Sequence, residues 1–159
     1  PGRNFAWGET EDKFRSSWGN YKHCNGSSTT FTKYNTDSSR GTVDYKRTLD
    51  LSDDAARVNW GGEWRMPTYN EWQELVKKCT WTWTTQNGVN GYNVTSKTNG
   101  NNIFLPMNHA GGGLFYGDYW SSSLTSISYS AFCLHFDSMN VGGRDDNRFY
   151  PLAVRAVCP

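Results

Sequence analysis

Rings rather than aliphatic chains must build the core of this protein. Its 159 residues are 36% hydrophobic, yet 8 Trp, 9 Tyr and 8 Phe are spread among them. Large amphipathic side chains pack well only where their polar edges find partners. With 16 Gly and 19% charged residues, this composition suits a loop-rich globular domain and excludes a helical bundle, a coiled coil or a disordered tail. The charges nearly cancel, 16 Lys+Arg against 15 Asp+Glu, which argues against a polybasic nucleic-acid surface. No apolar run is long enough for a membrane helix. No charged-then-apolar leader precedes Phe5, and the chain opens at once on PGRNFAWGET, so it reads as a single domain, 1–159, at the C-terminal end of a longer polypeptide.

Composition also changes along the chain. From Ser121 to Pro159 there is no Trp, Lys, Glu or Gln, whereas all 8 Trp and all 7 Lys precede that point.

Local patterns indicate mixed structure. Segment 16–48, rich in Ser, Thr, Asn and Lys, reads as an extended surface excursion. Ser52-Asp53-Asp54-Ala55-Ala56-Arg57 reads as a helix start capped by Ser52 and ended at Gly61-Gly62. Asp53 and Asp54 are accordingly helix-start residues, not catalytic acids. Thr68 and Glu71 form a capping box, after which Trp72, Leu75, Val76 and Cys79 fall on one helical face. Trp81 to Thr85 alternates with period two, and Asn87-Gly88, Asn90-Gly91 and Asn99-Gly100 are turn signals between short strands around 92–95 and 103–105. Residues 106–118 read as a long ordered loop, followed by strand candidates at 119–122, 131–136 and 153–157. Helices followed by short antiparallel strands define an α+β class with two helices, small antiparallel sheets and long ordered loops.

The strings FAWGET, TLDLSDDAARVNWGGEWRMPTYNEW, NGNNIFLP, YWSSS and VRAVC occur in that order. Together they make the chain resemble a paralogous domain abundant in surface proteins of Bacteroides-type bacteria and their phages. That group is similar to the C-type-lectin-like fold, and its relatives include the variable proteins of diversity-generating retroelements. In those systems, adenines of Asn-type codons are replaced. Such codons never yield Trp, Lys, Glu, Gln or Met, and segment 121–158 contains one exception, Met139.

The resemblance implies a frame made of Trp120, Ser121, Ser122, Ala131, Leu134, Phe136, Arg148, Val154 and Arg155. It implies a binding face at Thr125, Ser126, Ile127, Ser128, Tyr129, Ser130, Cys133, His135, Asp137, Asn140, Gly142, Gly143, Arg144, Asp145, Asp146, Asn147, Phe149 and Tyr150. Alternation along AFCLHFDS sends Phe132, Leu134 and Phe136 inward and Cys133, His135 and Asp137 to solvent. Tyr and Phe among Ser, Asn, Asp and Gly compose a surface like an antibody combining site. Pro151 stands where the family usually has Gly, which bears on the loop before the last strand. The resemblance also implies a Cys79–Cys158 disulfide if the protein matures in an oxidising place, with Cys24 free.

Chemistry at these residues is less well marked. His23, His109 and His135 lack metal-ligand spacing, and the four cysteines lack the C-x-x-C pattern. Asp137, Asn140, Asp145, Asp146 and Asn147 are oxygen-rich and leave a structural calcium open, without the ordered calcium-loop motif or the Glu-Pro-Asn or Gln-Pro-Asp triplet of sugar-binding lectins. No cofactor is required. The expectation is a non-enzymatic protein with a diversified face, placed on a cell surface or phage tail and attaching to a surface protein or glycan without entering a membrane. Two alternatives stand behind it: an undiversified structural or glycan-binding domain of a bacterial surface lipoprotein, and more distantly an enzyme of the formylglycine-generating type using Cys133 and Cys158.

Overall fold

The structure is a computed structural model that describes residues 3–111 and 114–158. Its class is α+β. The elements run β1 (Asn4–Phe5), α1 (Ala55–Trp60), α2 (Tyr69–Lys78), β2 (Cys79–Gln86), β3 (Val89–Ser96), β4 (Asn102–Pro106), β5 (His109–Gly111), β6 (Leu114–Leu124), β7 (Ser130–Asp137), β8 (Val141–Asn147) and β9 (Leu152–Ala153), with short 3-10 turns in the N-terminal third. Strands β2, β3 and β4 form one antiparallel sheet. The second sheet has the order β1-β9-β6-β7-β8, with β5 pairing β6 beside that path. Strand β9 runs parallel to β6, while β5 and β7 are antiparallel to it.

The capping box at α2 forms as the sequence requires. Thr68 Oγ1 accepts from the Glu71 amide at 3.2 Å, and Glu71 Oε2 accepts from the Thr68 amide at 2.7 Å. Arg65 adds a two-pronged pair to Glu71 at 2.8 and 2.6 Å, and with the Thr68 bonds it draws the Glu71 carboxyl down to about 2. The expected hairpin turn forms at Asn87-Gly88, where both residues take positive φ, 51° and 77°, as a tight turn between twisted strands needs. Asn90-Gly91 is not a turn. It lies inside β3, where Gly91 faces Pro106 and a side chain would collide with the Leu105 carbonyl.

Two further expectations change. Asp54, not Ser52, caps α1, accepting from the Ala56 and Arg57 amides at 2.9 and 3.0 Å. Residues 106–118 are not simply a loop, because they supply β5 and the start of a long β6.

The central sheet packs against a core on each face, over only part of one of them. Leu134, Phe136 and Tyr119 pack with Trp72 of α2 and with Tyr92, Val94 and Leu105 of the three-stranded sheet. Trp120, Cys133 and Ala131, on the opposite face, pack with Phe5, Trp7, Tyr34, Ala55, Ala56 and Met66. Segment 16–48 is therefore not a surface excursion: Tyr21, Phe31, Tyr34 and Asn35 are buried in it. What fills its interior is aromatic and ionic. Asp53 departs from its helix-start role too, because its buried carboxylate accepts from Lys22 at 2.8 Å, Lys33 at 2.6 Å and the Tyr34 hydroxyl at 2.8 Å. Burial works to raise the Asp53 pKa, but these three donors hold it well below the usual carboxylate range.

Candidate functional site

Strand register divides one face of the central sheet into a covered half and an open half. Directly paired antiparallel residues share a face. On β6, Tyr116, Asp118 and Trp120 alternate onto this face, and their β7 partners are Asp137, His135 and Cys133. Across β8 the same face continues with Gly142, Arg144 and Asp146, and on β5 with His109 opposite Tyr116. The N-terminal segments cover the end carrying Trp120, Cys133 and Ala131. The rest of the face lines open hollows and carries His109, Tyr116, Asp118, His135 and Asp137, with Arg144 and Asp146 on the edge strand β8 beside Cys133 and Ala131.

The open half is assembled from polar pairs. Asp118, 2% exposed, accepts from His135 Nδ1 through Oδ1 at 2.7 Å when the imidazole proton sits on that nitrogen. Its backbone is clamped by Asn108, whose Nδ2 donates to the Asp118 carbonyl at 2.8 Å and whose Oδ1 accepts from the Asp118 amide at 3.0 Å. Arg144 donates to Asp146 Oδ2 at 3.0 Å. Burial first, then the nearby Asp118 charge, raises the Asp146 carboxyl despite that bond and the Asn147 amide. Asp137 takes the amides of Met139 and Asn140 at 2.7 and 2.8 Å, closing the β7–β8 turn, and its carboxyl is lowered by them. His109 stacks on Tyr116 with centroids 4.7 Å apart. Two open hollows share Tyr116 and Arg144. One is bounded by Phe115, His135, Asp137 and Met139, the other by His109, Asp118, Asp146, Asn147, Tyr150 and Pro151.

The structure sorts the expected face residues into separate places. His135, Asp137, Arg144, Asp146, Asn147 and Tyr150 come together around the hollows, with Asn140 at the adjoining turn and Gly142 on the same strand face. Thr125, Ser128, Ser130 and Cys133 are buried and do not belong to a solvent face. Thr125 and Ser130 bond each other, and Ser128 Oγ accepts from the Thr36 amide at 3.2 Å. Cys133 follows the expected alternation but meets the second core instead of water, and burial pushes its thiol well up. Tyr129 lies under the Arg40 guanidinium at 4.8 Å, and Phe149 packs edge-on to Trp18 at 4.9 Å, so both are half-buried structural rings. Ser126 and Ile127 are exposed on their own loop. Gly143 and Asp145 alternate onto the opposite face of β8, where Gly143 is pressed against Tyr69 and Gln73 of α2.

The frame residues Trp120, Ser121, Ser122, Ala131, Leu134, Phe136 and Arg148 are all buried, but Arg155 is exposed. Ser121 Oγ donates to the Phe132 carbonyl at 2.7 Å and accepts from the Ser123 amide at 3.2 Å, at the register shift between Trp120 and Leu124. Pro151 leads directly into β9 after a turn in which the Tyr150 amide donates to the Asn147 carbonyl at 2.9 Å.

The oxygen-rich set does not converge on one point, since Asp145 and Asp146 lie on opposite faces of β8. The four cysteines are free thiols, with Cys158 exposed and Cys79 half-buried, so the Cys79–Cys158 bridge is not formed in this structure. Tyr116 and Asp118 belong to the site without having been singled out from sequence. Their signal was the alternation Tyr116, Asp118, Trp120 running backward from the YWSSS string. The comparisons with known proteins return no match: no protein-family model fits the chain, and no curated protein or solved structure is significantly similar to it.

Proposed function

We propose that this chain is a non-enzymatic ligand-binding module of C-type-lectin-like fold, and that the open half of its central sheet is the binding face of a retroelement-diversified protein. It serves attachment, through a phage tail or a bacterial surface protein, to a cell-surface protein or glycan. One observation carries the reading. His135, Asp137, Arg144, Asp146, Asn147 and Tyr150 converge on one uncovered surface, all are types reachable by adenine replacement in Asn-type codons, and the strands beneath them are fixed by buried Trp120, Ser121, Phe136 and Arg148. A face can vary only where its side chains are not also the core.

The buried, upward-shifted Cys133 thiol supports the non-enzymatic part, because nucleophilic cysteines need an accessible, stabilised thiolate. The test is to compare the coding DNA with its surroundings. The proposal expects a near-copy of the stretch encoding 121–158, differing at adenines, beside a reverse-transcriptase gene. Absence of such a copy, or differences spread over all four bases, would remove the diversification and leave an unvarying binding domain.

A further inference from the structure

We infer that the hollow between β5, β6 and β8 receives a cationic nitrogen group, an ammonium or guanidinium such as a Lys or Arg side chain of a partner protein, with Asp118 as its receptor carboxylate. This rests on the open half being the ligand face, and it names what one part of that face takes. Three observations lead to it.

The first is an unfinished carboxylate. Asp118 is 2% exposed and lines the hollow, yet among the described residues only its Oδ1 is engaged, by His135 at 2.7 Å. Its Oδ2 keeps contact with solvent and has no protein donor among the described residues, so it is free to accept from a ligand. The second is His109. Its Nε2 is buried and has no hydrogen-bond partner among the described residues, and the same ring lines the same hollow. Asp118 and His109 thus line one space, where an N–H donor can bond the free Asp118 oxygen, with His109 Nε2 as a second acceptor if that ring carries its proton on Nδ1.

The third is charge. Arg144 and Asp146 neutralise each other at 3.0 Å. Asp118 is then the carboxylate of this hollow that has no salt bridge to a Lys or Arg among the described residues. Tyr116 and Tyr150 line the hollow too, and aromatic rings tolerate a neighbouring ammonium or guanidinium. Asp118 lies before the 121–158 stretch, so the preference for a cation is built into the constant part of the face, while the residues around it set which cationic ligand fits.

The test uses the whole chain at pH 8 with two peptides, acetyl-Gly-Lys-Gly-amide and its counterpart carrying Nε-acetyl-lysine, following the imidazole resonances of His109 and His135. The lysine peptide is expected to move both in a saturable way and the acetylated one to leave them in place, with Asp118→Asn weakening the lysine peptide at least tenfold. Equal effects of the two peptides, no movement with either, or unchanged binding by a folded Asp118→Asn would overturn the inference. If that variant does not fold, the two-peptide comparison on the unaltered protein decides alone. The DNA comparison reads diversification separately, so each idea can fail without the other.

Discussion

Arg148 donates from Nε to the Tyr21 hydroxyl at 2.9 Å, joining the end of β8 to a segment 127 positions earlier. The guanidinium is fully buried and meets no carboxylate among the described residues. Three of its other four N–H donors go to the carbonyls of Tyr34, Ser128 and Lys33 at 3.0, 2.8 and 3.1 Å, and the Phe31 ring lies 4.6 Å away. Carbonyl dipoles and ring faces thus stand in for a counter-ion. The arrangement ties the strand beside the ligand face to the N-terminal third.

Removing that tie should be expensive. Arg148→Ala strands three carbonyls and a phenol, so a loss of about 3 kcal/mol or more is expected in urea unfolding. Arg148→Lys should recover little, because an ammonium cannot span the same fork of acceptors. A lysine variant as stable as the parent would show that charge alone, not geometry, holds the segment.

Core and face should respond differently to truncation. Trp120→Ala and Phe136→Ala should each cost about 3 to 5 kcal/mol, and Cys133→Asp a few kcal/mol through burial of a carboxyl. Tyr150→Ala should stay within about 0.5 kcal/mol. His135→Ala should fall between, near 1 kcal/mol, because Asp118 loses its partner. Thermal or urea melts rank the five directly, and equal losses for Phe136 and Tyr150 would contradict the division of the sheet.

Acid should destabilise the fold in two stages. His23 is buried and donates from Nε2 to the Gly8 carbonyl at 2.8 Å, and burial lowers its pKa from the ordinary 6.5. A group kept neutral in this way favours folding above its unfolded pKa, and that stability fades as pH falls below 6.5. Glu71, drawn to about 2 from 4.5, adds stability that is present above 4.5 and lost as pH falls toward 2; Asp53 acts in the same direction. Urea midpoints between pH 8 and pH 3 should show both steps, and His23→Gln should remove the upper one.

Thiol reactivity should follow burial. Without denaturant, Cys158 should label fast, while Cys24 and Cys133 label only on unfolding. Denatured, non-reduced protein should then present four thiols; two would indicate that the Cys79–Cys158 bridge forms after all.

Much of this was legible where the signal is local. The Thr68–Glu71 box, the Asn87-Gly88 turn and the Leu134–Phe136 face each depend on residues a few positions apart. Segment 16–48 was not legible, because Tyr21, Phe31 and Tyr34 owe their burial to Arg148 and Asp53, which lie far along the chain. Cys133 failed for a different reason. Alternation tells which residues share a face, but not that a second layer covers half of it. The Gly-rich stretch before Leu114 hid β5, and with it the alternation that brings Tyr116 and Asp118 into the site.

The central claim is that the open half of the sheet varies independently of the frame. Two displayed libraries test it most directly: one randomised at His135, Asp137, Arg144, Asp146, Asn147 and Tyr150, the other at Thr125, Ser128, Ser130 and Cys133. The measured quantity is the fraction of members that survive a protease challenge. Most of the first library should survive and yield binders to new targets, while most of the second should be cleaved. Equal survival of the two, or collapse of the first, would contradict the account.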